Sequence, residues 1–181
     1  MNTIKFLTKT ALCVVVSTGL LSLPVNAQKN NKLTDPEIAS VAVTANQIDI
    51  NYANLAMKKS KNTQVIEFAK TMKRDHQAVI DKAVALVTKL GVTPKDNATS
   101  KSLKAGEAKT LKMLKSKSGN AFDKAYVDNE VAYHTAVINA VENVLIPDAS
   151  NKELHDLLVG AVPLFKAHLE HAKMIQKNLG K

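Results

Sequence analysis

From Ile38 onward, apolar residues return every three or four positions along most of the chain, the spacing that gathers side chains onto one face of an α-helix. The first stripe is Ile38, Val41, Ala45, Ile48, Tyr52 and Leu55, with Asp49 at its border. Thr34-Asp35-Pro36-Glu37 stands before it as a start signal: a capping residue, a proline in the first turn and an early acid facing the helix dipole. The pattern predicts a long helix to about Ser60. A second stripe runs Val65, Ala69, Met72, His76, Ile80, Ala83, Val87 and Leu90, with Asn62 or Thr63 as its cap and Gly91 as its end. Beyond Pro94 and Asn97 comes a shorter, lysine-rich helix around Ser102 to Lys117, whose modest apolar side is Leu103, Leu111 and Leu114.

Ser118-Gly119-Asn120 breaks the pattern and offers Asn120 as the cap of a third long helix, which Pro147 closes after Ile146. Its wide apolar face combines Phe122, Tyr126, Tyr133, Val137 and Val141 with a row of Val127, Val131, His134, Ile138 and Leu145. Ser150 offers a cap for the last helix, with the stripe Leu154, Leu158, Ala161, Phe165, His168, Ala172, Ile175 and Leu179. Pro163 lies inside it, where a missing N–H predicts a kinked axis or a gap in the hydrogen-bond ladder about one turn before His168. No segment carries a strand signal. The pattern predicts an all-α protein: an antiparallel four-helix bundle over residues 36–181, with a short accessory helix between the second and third long helices.

The residues before the bundle read as an address. Lys5 and Lys9 form a cationic start, Ala11 to Leu23 an apolar run too short to span a bilayer comfortably, and Val25-Asn26-Ala27 a small-residue cleavage site. Residues 1–27 are therefore expected to be a cleaved signal peptide and 28–35 a polar linker, with no transmembrane span in the mature chain. The single cysteine, Cys13, leaves with the leader, so the fold must rest on its apolar core without disulfides.

Charge narrows the partners. Losing Lys5 and Lys9 leaves 23 basic residues against 16 acidic ones, a net charge of about +7. That balance favours anionic partners, and an anionic envelope component is the class that the lysine-rich helix 102–117 fits. Export argues against nucleic acid, as does the lack of aromatics and arginines among Lys101, Lys104, Lys109, Lys112, Lys115 and Lys117.

The chemistry lies in the stripes. His76, His134 and His168 each stand on or beside the apolar face of a different long helix, so the bundle places imidazoles in its core, where helical proteins assemble cofactor sites. Asp49 and Glu130 are the carboxylates able to join them. Three imidazoles and an oxygen donor form a mixed ligand set that suits zinc, iron, copper or nickel without choosing among them. His168 and His171 also offer a two-point clip one turn apart. The competing reading makes the histidines core polar residues, each hydrogen-bonded to a carboxylate or to Tyr52, Tyr126 or Tyr133. Asp75 lies beside His76 in sequence but on another face, and is assigned no role. The scattered methionines read as core filling. No cysteine nucleophile remains in the mature chain, and there is no glycine-rich phosphate loop or nucleophile elbow.

Three segments resemble the bacterial family known as domain of unknown function 4142: Val65-Ile66-Glu67-Phe68-Ala69 on to Met72 and Asp75-His76; Phe122-Asp123 with Ala125-Tyr126 on to His134; and Pro163 followed by His168-Leu169 and Ala172. The resemblance implies an exported, ferritin-like bundle, and some members are described as outer membrane proteins. It implies a periplasmic or extracellular home, with peripheral attachment to the outer membrane as one option, and supplies no reaction. Ferritin-like di-iron proteins carry Glu-x-x-His motifs. Here Lys73, Val131 and Phe165 occupy the glutamate positions, which argues against a di-iron oxidase. The sequence thus reads as an exported, non-enzymatic binding or envelope-interaction module related to stress. The alternative is a metal-sequestering protein using His76, His134, His168, Asp49 and Glu130.

Overall fold

A computed structural model describes residues 32–180, and in this region the chain is helical with no strand. The elements are α1 (Asp35–Lys59), α2 (Thr63–Lys89), α3 (Ala98–Lys115), α4 (Gly119–Ala140), a π-helical turn (Val141–Leu145), a last turn α5 (Ile146–Asp148), and α6 (Lys152–Leu179). The expected leader, and the first half of the expected linker, lie outside the described residues. No described helix is long and apolar enough to cross a membrane.

Local chemistry sets the helix starts. Glu37 accepts from both the backbone N–H and the hydroxyl of Thr34 at the head of α1. Asn62 is the cap of α2, its Oδ1 accepting from the N–H groups of Gln64 and Val65. Gly91, at φ 63°, supplies the left-handed turn that follows α2. Three expected boundaries shift. Helix α3 starts at Ala98, because Asn97 rather than a later residue caps it through Thr99 and Ser100. Asn120 is not a cap: α4 starts at Gly119, itself at φ 54°. The cap of α6 is Asn151, not Ser150, and its Oδ1 accepts from Glu153 and Leu154. Before Pro147 the chain passes through a π turn instead of ending as a regular helix. Helix α6 continues through Pro163, which stands on its exposed side.

The main interfaces join α1 to α2 and α4 to α6, the two expected hairpins. One apolar cluster takes Tyr52, Ala53 and Ala56 from late α1, Val65 to Met72 from early α2, Phe122 to Val127 from early α4, and Ala172 and Ile175 from late α6. The other takes Ile38 and Val41, Ile138, Val141 and Leu145, and Leu154 to Phe165, with Val79 and Leu86 against it. The first cluster is thus built where α1 and α6 end and α2 and α4 begin, which fixes α1 and α6 as antiparallel to α2 and α4. Helix α3 packs mainly on α1 and returns the chain to the first cluster, where Leu114 is fully buried. It is the long crossover that a ferritin-like bundle needs between parallel second and third long helices. Because α2, α3 and α4 all pack on α1, α1 buries Ile48, Asp49 and Ile50 in succession instead of one narrow stripe.

Candidate metal centre

Between the two apolar clusters, each long helix contributes polar side chains to a single buried layer: Asn46 and Asp49 from α1, His76 from α2, Glu130 and His134 from α4, and His168 from α6. All are within 6% of complete burial. Asp49 and Glu130, placed on or near the apolar faces by helical spacing, have no exposed surface at all.

The three imidazoles converge. Ring centroids lie 5.5 Å apart for His76 and His134, 5.2 Å for His76 and His168, and 5.5 Å for His134 and His168. One ring nitrogen of each is held. His76 Nδ1–H donates to Asn46 Oδ1 at 2.7 Å, and the Asn46 amide nitrogen donates to the Ala42 carbonyl, which fixes its orientation. His134 Nδ1–H donates to the Glu130 carbonyl at 3.0 Å, and His168 Nε2–H to Asp75 Oδ2 at 3.0 Å. These bonds set the tautomers. The other nitrogens, His76 Nε2, His134 Nε2 and His168 Nδ1, are buried and have no hydrogen-bond partner among the described residues. One ring nitrogen from each of the three imidazoles lies within 4.8 Å of the others.

A second triplet of potential donors, Asp49, Glu130 and His134, meets the same distance limit and shares His134 with the first. Asp49 Oδ2 lies 3.5 Å from His76 Nε2 and 3.7 Å from His134 Nε2, and Glu130 Oε2 is 3.6 Å from His134 Nδ1. None of these is a hydrogen bond, and among the described residues both carboxylates lack a donor from any other side chain. Between themselves they can share a proton. A void of about 10 Å³ touches Asp49, His76 and His134, the scale of one water molecule or one ion.

Burial governs the protonation. Desolvation pushes Asp49 up to about 7, against the hydrogen bond it shares with Glu130. Glu130 rises well above the usual carboxylate range, first by burial and then because Asp49 is beside it. Burial, and then each other's charge, drive the imidazoles the other way, His76 to about 2 and His134 to about 4. His168 is lowered by burial despite the Asp75 carboxylate. The layer thus holds neutral imidazoles with free lone pairs beside two acids whose ionised forms lack a cation.

Several sequence expectations are corrected. Among the described residues no tyrosine bonds an imidazole: Tyr133 donates to the Ala45 carbonyl, Tyr52 packs edge-on against Tyr133, and the buried Tyr126 hydroxyl has no partner there. The His168–His171 clip gives way to His171 lying edge-on against Phe68 at 5.1 Å. Asp75, assigned no role, points away from its neighbour His76 and reaches across to α6. Burial alone would raise its pKa, but Arg74 and His168 donate to it and hold it low. Asn46 was also missed, although an amide set between Val41 and Ile48 on the apolar side of α1 was a visible signal.

Residues 21–175 match the family described as Domain of unknown function (DUF4142). The chain belongs to this family. No curated protein matches it. Among solved structures it is similar to "CopM in the Cu(II)-bound form", with a TM-score of 0.61 and 17% identity over 81% of this chain and 98% of that one. This likeness concerns the helical fold.

Proposed function

We propose that this DUF4142 member is an exported metal-binding protein that holds a transition-metal ion on His76, His134 and His168, with Asp49 and Glu130 supplying oxygen. One observation carries the reading: each of the three imidazoles has one nitrogen held by hydrogen bonding and leaves the other as an unpartnered lone pair in a shared buried layer. Histidines serving only as core polar groups satisfy their buried nitrogens, since each orphan costs about 1–3 kcal/mol. A cation would satisfy the three nitrogens and the two carboxylates together. Outer hydrogen bonds of this kind are also what orient metal-ligating imidazoles.

Copper(II) is the first ion to test among copper, zinc, nickel and iron. A nitrogen and oxygen site binds it most strongly in the divalent series, and the structurally similar CopM is described with Cu(II) bound. The set contains no thiolate that would favour Cu(I). A role in holding metal fits better than turnover, because the layer is buried and its void has room for about one water molecule or ion.

The experiment uses protein expressed from the full chain and stripped with chelator. Titrations with Cu(II), Zn(II), Ni(II) and Fe(II) are followed by elemental analysis, with electron paramagnetic resonance for copper. About one ion per chain is expected, with imidazole nitrogen hyperfine structure for Cu(II). Binding should be lost in His76→Ala, His134→Ala and His168→Ala, and kept in His155→Ala and His171→Ala. Absence of stoichiometric metal, or equal retention by all five variants, removes the proposal.

A further inference from the structure

Beside the polar layer, at the end of the bundle opposite the tightly filled core, lies a partly enclosed cavity of about 310 Å³. Its walls come from all four long helices, from Leu103 of α3 and from the π turn, which contributes Val141 and Leu145. Much of the lining is alanine, including Ala42, Ala140 and Ala161, and the small side chains leave the space open. Only Asn46, Thr99 and Tyr133 bring polar groups to it. Asn46 is bonded to His76 and Ala42, and the Tyr133 hydroxyl to Ala45.

We infer that this cavity is a binding site for an uncharged, apolar small molecule, of the size of a two-ring aromatic or a medium alkyl chain. Size gives the first reason: an apolar cavity of ~150 Å³ stays dry and takes up a single aromatic ring, and this one is about twice as large. The lining gives the second. Water entering it would find few partners, and a carboxylate or ammonium inside would meet no opposite charge. The π turn gives the third, because such turns recur at functional sites. The ligand would lie next to the proposed metal layer without joining it. Phe165 forms part of the cavity wall and stacks on His76, with ring centroids 5.5 Å apart and planes within 8°.

The test uses chelator-stripped protein from the full chain, so its outcome does not depend on whether the histidines bind metal. The probe is the neutral fluorophore N-phenyl-1-naphthylamine. Its sulfonated relative, 1-anilinonaphthalene-8-sulfonate, tests the requirement for neutrality. Saturable binding of about one neutral dye per chain is expected, with the sulfonate at least about tenfold weaker. Ala42→Leu and Ala140→Leu fill the space from opposite walls. Each should weaken the neutral dye at least about tenfold while melting at or above the wild-type temperature. The inference is overturned if the neutral dye does not saturate, if both filled variants bind it as well as wild type, or if the sulfonate binds equally well. It is also overturned if light scattering shows a dimer that must dissociate before dye binds, since the cavity would then be covered by a second copy.

Discussion

The two apolar ends of this bundle are built from the same four long helices and the same three-and-four spacing, yet one is full and the other hollow. At the full end, Tyr52, Phe68, Phe122 and Tyr126 interlock, with Phe68 and Tyr126 edge-on at 6.2 Å and Phe122 stacked on Tyr126. Phe68, Phe122 and Tyr126 are completely buried. At the other end most residues lining the space are alanine, valine and leucine, and Val87, Val162 and Ile138 keep 8–9% exposure. At about 24 cal/mol per Å³, a void of about 310 Å³ forgoes up to about 7 kcal/mol, a large share of a domain's net stability. The comparison teaches that helical periodicity fixes which face is buried, whereas side-chain volume decides whether the buried space closes.

The largest expected effect breaks the full end. Phe68→Ala removes a ring packed on every side and should cost about 3–5 kcal/mol, whereas Leu158→Ala, on the wall of a space already open, should fall near the low end of about 2–5 kcal/mol. Urea unfolding of both variants checks this. Equal losses would mean that the hollow end is as well packed as the full one.

The next effect concerns the polar layer that separates the ends. Asp49 titrates at about 7 when folded and near 3.8 in its unperturbed state, so in metal-free protein its stabilising contribution is complete below about 3.8 and is lost as pH rises through 7. His76 runs the other way. Its folded value of about 2 lies below 6.5, so its contribution is complete above 6.5 and lost as pH falls. Metal-free protein should therefore melt highest in weakly acidic buffer. Asp49→Asn keeps the shape, removes that titration and should make the fall up to about pH 7 shallower, while the loss that Glu130 causes remains. Melting scans from about pH 5 to about pH 8 decide it, and parallel curves for wild type and variant would refute this account of Asp49.

The smallest effect probes the support of one ligand. Asp75→Asn weakens the acceptor that holds His168 Nε2 and leaves all the proposed ligands in place. It should reduce metal affinity by about 10–100-fold with little change in melting temperature. Unchanged affinity in a chelator-competition titration would show that the orientation of His168 does not matter to binding.

Much of this architecture was legible in the sequence. The stripes placed every long helix, and His76, His134 and His168 stood out because imidazoles interrupt otherwise apolar faces. Asp49 and Glu130 followed from their places on or near those faces. The partners set by rotation and height between helices were not legible. Asp75 looked idle beside His76, because only the packing of α2 on α6 shows that it faces His168. The hollow end was hidden because alanine satisfies an apolar pattern as well as leucine does. The π turn was hidden as well, because no residue type among Val141 to Leu145 marks an extra residue in a helical turn.

The hydrogen bond between Asp75 and His168 joins residues 93 positions apart, and every pair of helices in the polar layer except the two hairpin pairs, α1 with α2 and α4 with α6, is separated by long stretches of chain. Contacts of that span form late, after the loops between them have been closed at an entropic cost. A growing or unfolded chain therefore has the two hairpins' separate histidines but no gathered set of lone pairs. The layer comes into being only when the last helix docks, so under the proposed function the protein is one that folds first and loads its ion afterwards, wherever in its journey that docking takes place.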